Sequence, residues 1–247
     1  MFSGRANLTG RRGALLAVVV AALSLAACSS SGSGQGAGNG NGTGSGNGPA
    51  QVDSEGATRV ESGALGSQLD SIPKADLTTS ERDGLLKMRE EEKLAHDVYV
   101  TLGNKWNLNV FDNISAAEQT HTDAVKTLLD RYALADPAAG NTVGNFTNPD
   151  LQTLYTELVS QGSGSLVAAL TVGATIEDLD IADLQALATT TPDLALVYAN
   201  LEKGSRNHLR AFAKQLDKNG ATYTPTHITQ AAYDEIVSSA IERGSAG

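Results

Sequence analysis

The sequence predicts an all-helical protein: a four-helix bundle with an extra short helix between helices two and three and a small C-terminal helix. Three observations predict it. From about residue 77 onward apolar residues recur at spacings of three and four. Capping and stop signals cut that stretch into segments of helical length, and alternating strand patterns are nearly absent.

The first seventy residues stand apart. Arg5, Arg11 and Arg12 precede the apolar run "ALLAVVVAALSLAA", which ends on Leu25-Ala26-Ala27 before Cys28, the only cysteine of 247 residues. A basic start, a short apolar run and small residues at its end read as a signal peptide over 1–27. The tripeptide before Cys28 resembles the lipobox of bacterial lipoproteins, which implies lipidation at Cys28. The protein is then exported and lipid-anchored to the outer face of the cytoplasmic membrane, held there by the anchor only. Arg11-Arg12 leaves Sec and twin-arginine export both open. The run "SSSGSGQGAGNGNGTGSGNGPA" has the composition of a flexible coil, and the expected Ser/Gly-rich linker spans 28–70, with the helical domain over 71–247. One cysteine permits no intrachain disulfide. The formal charge of −10 falls by a further three when the signal-peptide arginines are removed. Such acidity argues against nucleic acid as a partner.

The first long helix opens at Thr78, Thr79 or Ser80 and stops at Gly103-Asn104, with Leu85, Met88, Ala95, Val98, Tyr99 and Leu102 inward. The second starts at Asn113 or Ser115 and runs through Val125, Leu128, Leu129 and Tyr132 to a loop over 137–148. Asn148-Pro149-Asp150 is a cap with a first-turn proline and opens the short extra helix. The third long helix runs from Ser165 to about Ala188. Thr191-Pro192-Asp193 opens the fourth, which carries Leu194, Val197, Leu201, Phe212 and Leu216 on one face and stops at Gly220. A small helix from Thr229 to about Glu242 ends the pattern.

Advancing 100° per residue places polar side chains inside these apolar stripes. Glu91 and Glu92 straddle the first, with Glu90 pointing away. Glu118 and His121 lie in line with Val125 and Leu128. Glu177 and Asp180 share a face with Leu170 and Ile181, and Asp178 lies outside it. His208 and Ser205 share a face with Leu201 and Phe212. Unpaired buried carboxylates cost several kcal/mol each or give up their charge, and no Lys or Arg sits on the inner stripes to offset them. A pair of divalent cations would, and carboxylates with imidazoles suit iron or manganese. The Glu-x-x-His spacing stacks both donors on one helix face. Blander readings stand beside this one: Ser115-x-x-Glu118 fits a capping box, and Asp180 has Arg206 or Arg210 as a partner across the bundle.

The blocks "EEEKLAHDVY", "FDNISAAEQTHTDAV", "ALTVGATIEDLDIADL" and "LEKGSRNHLRAF" together resemble an uncharacterised family within the ferritin-like superfamily, over about Leu77 to Ile236. The resemblance implies a di-iron carboxylate bundle that uses dioxygen or peroxide. It places metal ligands at Glu91 or Glu92, at Glu118 and His121, at Glu177 and at His208. One departure stands out: Ser205 occupies the position where the fourth helix usually supplies a glutamate, and Asp180, one turn beyond Glu177, is the candidate replacement. The expected function is an oxygen- or peroxide-dependent oxidoreductase or ferroxidase with two iron (or manganese) ions. The alternatives are a non-catalytic lipoprotein whose bundle binds a partner or envelope component, and a metal buffer.

Overall fold

The computed structural model describes residues 49–244; the expected signal peptide, Cys28 and the expected linker as far as residue 48 lie outside the described residues. Helices dominate. A short antiparallel hairpin, β1 (Ala50–Val52) and β2 (Thr58–Val60), pairs Ala50 with Val60 and Val52 with Thr58. Seven helices follow among the described residues: α1 (Ser62–Ser71), α2 (Thr79–Trp106), α3 (Asn109–Arg131), α4 (Pro149–Gly162), α5 (Leu166–Ala186), α6 (Pro192–Lys218) and α7 (Gln230–Ser238). None is long and apolar enough to cross a membrane.

Local chemistry sets the ends of the long helices. Thr78 and Glu81 form a reciprocal capping box at the start of α2, with the Glu81 N–H donating to Thr78 Oγ1 at 3.2 Å and the Thr78 N–H to Glu81 Oε2 at 2.9 Å. Asn107 ends α2 in the left-handed conformation, at φ 50°. Only Leu108 then separates it from α3, so α3 begins at Asn109, earlier than the sequence suggests. Val110, Phe111 and Ile114 are buried in this added turn, and their packing carries the helix back past Ser115. Ser165 caps α5 through the Ala168 N–H at 3.0 Å, and Pro192 occupies the first turn of α6.

The four long helices touch in a closed cycle: α2 on α3, α3 on α6, α6 on α5 and α5 on α2. Two apolar clusters fill the space between them. One holds Tyr99, Phe111, Leu170 and Phe212, and the other Leu85, Met88, Leu128, Leu194 and Leu201. Following each helix from one cluster to the other gives its direction, and neighbours in the cycle run antiparallel. The chain leaves α3 at the second cluster and enters α5 at the first, so the segment carrying α4 returns along the length of the structure. Gly173 permits the closest approach of α5 to α6, since a Cβ there would meet the Phe212 ring at 2.4 Å.

The expected linker boundary at residue 70 is corrected. Residues 50–71 fold into the hairpin and α1, with Ala50, Val52, Ala57, Val60, Leu65 and Leu69 buried. Three-residue strands carry too little periodicity to register in sequence, and β2 is held by its contacts with α3 and α6. The small C-terminal helix is also shorter than expected, ending at Ser238. Beyond it Glu242 turns back onto α6 and accepts from Arg206 and Arg210.

Candidate metal centre

Between the two apolar clusters lies a polar layer. On each long helix the acids and imidazoles sit where the chain passes from one cluster to the other: Glu91 and Glu92 on α2, Glu118 and His121 on α3, Glu177 and Asp180 on α5, and His208 on α6. All seven are buried.

Glu118 is the hub. Its Oε2 lies 2.9 Å from His121 Nδ1 and its Oε1 lies 2.7 Å from His208 Nδ1. The two rings stack at 5.3 Å between centroids and 15° between planes. Outside them Glu92 Oε2 is 3.5 Å from His121 Nδ1, and Glu177 Oε1 is 3.6 Å from His208 Nδ1. The order across the layer is therefore Glu92, His121, Glu118, His208, Glu177. Donor atoms of Glu118, His121 and His208 fall close enough together to hold one metal ion.

These close pairs are not aligned as hydrogen bonds. Glu118 Oε1 and both Nδ1 atoms lack a hydrogen-bond partner, as do both oxygens of Glu92, Glu91 Oε2, Glu177 Oε2 and Asp180 Oδ2. Native interiors rarely leave so many polar atoms orphaned in one place. Two ligands at about 2.1 Å from one ion and at right angles to each other stand about 3 Å apart, which is close to the separations around Glu118. The donor set and its orphaned atoms fit a cation.

Electrostatics agree. Burial pushes Glu92 and Glu177 up to about 7, the charge on Glu118 adding to both. Burial likewise lifts Glu91 to about 8, although Lys87 pairs with it at 2.9 Å. Asp180 rises well above the carboxylate range through burial and then through Glu92, Glu177, Glu118 and Glu91. Glu118 goes the other way: burial opposes its charge, but His121 and His208 hold it far below the usual range. Burial also opposes the charged rings, yet Glu118 raises His121 well above its ordinary value, and Glu118 with Glu177 lifts His208 to about 9. Without a cation the layer favours the protonated forms of Glu91, Glu92, Glu177 and Asp180, and those are protons that a metal would displace.

The blander readings of the sequence fail on position. Glu118 is more than two turns into α3, and Ser115 Oγ donates to Asp112 O instead of capping. Arg206 and Arg210 pair with Glu242, not Asp180. Glu91 and Glu92 divide: Glu92 reaches His121, whereas Glu91 Oε1 is engaged by Lys87, which also meets Asp183 at 3.0 Å. Two acids that the helical wheel sets off the inner stripes are buried all the same. Glu90 is buried and accepts from the N–H groups of Thr147 and Asn148. Asp178 faces away from the layer but is fully buried, accepting from the Tyr223 hydroxyl and the N–H groups of Thr226, His227 and Ile228.

Several residues at the site escaped sequence reasoning. Tyr99 is more than core packing, since its hydroxyl donates to Glu177 Oε1 at 2.6 Å. Gly204 lies against the His121 ring, where a Cβ would meet Cε1 at 2.4 Å; a glycine inside an otherwise strong helix was the available signal. Thr58 of β2, with no side-chain exposure to betray it, reaches both imidazoles through its backbone. His121 Nε2 lies 2.7 Å from the Thr58 carbonyl, and the Thr58 N–H donates to His208 Nε2 at 3.0 Å. Asn207 Nδ2 donates to Thr58 Oγ1 at 2.9 Å and fixes the strand in place.

Fold and site together define a helical domain with a buried carboxylate and imidazole cluster at its centre. The chain belongs to the family described as "Uncharacterized protein domain (DUF2202)", whose model matches residues 81–240. It is 53% identical over 178 residues to the uncharacterized protein MJ0754 of Methanocaldococcus jannaschii, a match covering 71% of this chain and 96% of that one. The crystal structure of that hypothetical protein superposes with a TM-score of 0.68, covering 69% of this chain and 99% of the other.

Proposed function

We propose that the domain is a ferritin-like four-helix bundle holding a di-metal carboxylate centre, of iron or manganese, and acting as an oxygen- or peroxide-dependent oxidoreductase or ferroxidase. The fold assignment is supported by the antiparallel cycle of four helices and by the single long return between α3 and α5, the connection that ferritin-like bundles use. The observation that carries the functional reading is Glu118, a buried carboxylate set between two imidazoles and flanked by glutamates with orphaned oxygens. The lipobox at Cys28 supports a tether outside the cytoplasm.

A bound pair of redox-active ions would supply the electrons that reduce dioxygen or peroxide. The residues of this chain would do the rest. Glu92, Glu118, Glu177 and Asp180 with His121 are the donors best placed to hold the ions, and His208 closes the far side. The Tyr99 hydroxyl occupies Glu177 Oε1 and leaves Oε2 free. The apolar clusters above and below exclude bulk water, which strengthens every charge interaction within the layer.

The test is metal content. The purified protein is expected to contain iron or manganese, and the double variant Glu118→Gln, His121→Ala to lose it while circular dichroism stays helical. Unchanged metal content in that variant overturns the placement. Exposing the ferrous form to oxygen then separates turnover, which recovers with a reductant, from simple buffering of the metal.

A further inference from the structure

Glu92, His121, Glu118, His208 and Glu177 form a nearly symmetric row, yet the element behind the histidines is not symmetric at all. One residue, Thr58, meets both rings with opposite polarity. Its carbonyl can only accept, so the His121 nitrogen facing it, at 2.7 Å, carries a proton. Its N–H can only donate, so the His208 nitrogen facing it, at 3.0 Å, offers a lone pair. A neutral imidazole has one of each. As neutral rings, His121 therefore turns a bare Nδ1 toward Glu118 and Glu92, and His208 turns a protonated Nδ1 toward Glu118 and Glu177.

We propose that the Thr58 backbone sorts the two histidines into different roles: His121 is a metal ligand, and His208 turns a protonated nitrogen, not a ligating lone pair, toward the layer. Resting on the metal-centre reading above, this makes Thr58 a positioning residue and the centre lopsided. A proton on His208 Nε2 would face the Thr58 N–H donor to donor. His208 Nδ1 lies 2.7 Å from Glu118 Oε1, and Glu177 Oε1, at 3.6 Å, is beyond hydrogen-bond distance. The same asymmetry runs along α6, where Ser205, bonded to Leu201 O, stands one turn before His208 and offers no carboxylate. The α6 side of the layer thus contributes neither an acid nor a free imidazole lone pair, and a second ion there rests on Glu118, Glu177 and Asp180. Thr58 lies outside the residues matched by the family model, so the clamp comes from a part of this chain that precedes them.

Two measurements decide it. Long-range nitrogen–carbon NMR on the metal-free protein, at a pH alkaline enough for both rings to be neutral and with the rings assigned by single substitutions, is expected to show His121 as the Nε2–H tautomer and His208 as the Nδ1–H tautomer. Finding Nε2–H on His208 overturns the proposal, whatever the metal does. Manganese(II) titration followed by electron paramagnetic resonance then compares His208→Asn with His121→Asn. The asparagine amide keeps a donor near the Nδ1 position and replaces the imidazole lone pair with a more weakly binding amide oxygen. His208→Asn is expected to bind within about tenfold of the parent, the scale of a lost outer contact, and His121→Asn to lose at least about a hundredfold. Equal losses in the two variants overturn the assignment. A parent protein that binds no manganese or iron would instead sink the metal centre and leave the tautomer result standing.

Discussion

Gly204→Ala separates the metal centre from the fold that carries it. A Cβ at position 204 would lie 2.4 Å from His121 Cε1 and 2.9 Å from Nε2, whereas ordinary contact begins near 3.4 Å, so the ring must retreat by about the difference, 1 Å. Metal–ligand distances tolerate only about 0.2 Å. The same retreat stretches the 2.7 Å contact from Nε2 to the Thr58 carbonyl. The stability of the metal-free fold feels two opposing effects. Alanine gains about 1 kcal/mol over glycine in a helix interior, and overpacking costs about 1 to 3 kcal/mol. The net loss is therefore at most about 2 kcal/mol, small enough to leave a folded protein. Metal affinity has no such offset and is expected to fall by about 10- to 100-fold, as when the support of a ligating histidine is lost. Thermal unfolding with a chelator and with added manganese, beside direct titration, reads both quantities. Parent-like affinity in a folded Gly204→Ala protein would refute the placement of His121 as a ligand.

Asp180→Asn is expected to lower the metal content of one position more than the other, read as ions per chain by elemental analysis, because Asp180 stands in for the carboxylate that Ser205 does not supply; equal loss from both positions, or none, would refute that substitution of roles. Metal-free stability should depend on pH with an unusual sign. Glu92 and Glu177 move from 4.5 up to about 7 and Glu91 to about 8 on folding, so the folded state favours their protonated forms. Their contribution is fully present below pH 4.5 and is lost progressively as pH rises from there through about 7 (Glu92, Glu177) and about 8 (Glu91), by about 3 kcal/mol for a carboxyl moved from 4.5 to about 7. Denaturant midpoints in chelator should fall across that interval, and added manganese should flatten the profile; a flat profile in chelator would contradict the buried cluster.

Much of the site was legible because helical periodicity is a local property. Glu118 and His121 stand out at three-residue spacing on the same stripe as Val125 and Leu128, and the wheel needs no knowledge of the partner helix to say that they face inward. Glu177, Asp180 and His208 declared themselves in the same way. Glu91 and Glu92 could not be separated, since both straddle the stripe, and only Lys87 and Asp183 on the neighbouring surface draw Glu91 aside. The wheel set Glu90 and Asp178 off the stripe, but their burial was not legible. Their burial comes from the loop before α4 and the segment before α7, which fold over the outside of the long helices.

By itself the sequence determined the long helices, most of their ends and the inward direction of the acids and imidazoles, because each follows from residues within a few turns of one another. Tertiary structure decided what those side chains do: which glutamate meets His121, why position 204 has no side chain, and how one peptide at Thr58 faces two histidines 63 and 150 residues away. Those facts depend on distances between segments far apart in the chain, and backbone donors and acceptors read the same in every sequence until folding gives them a partner.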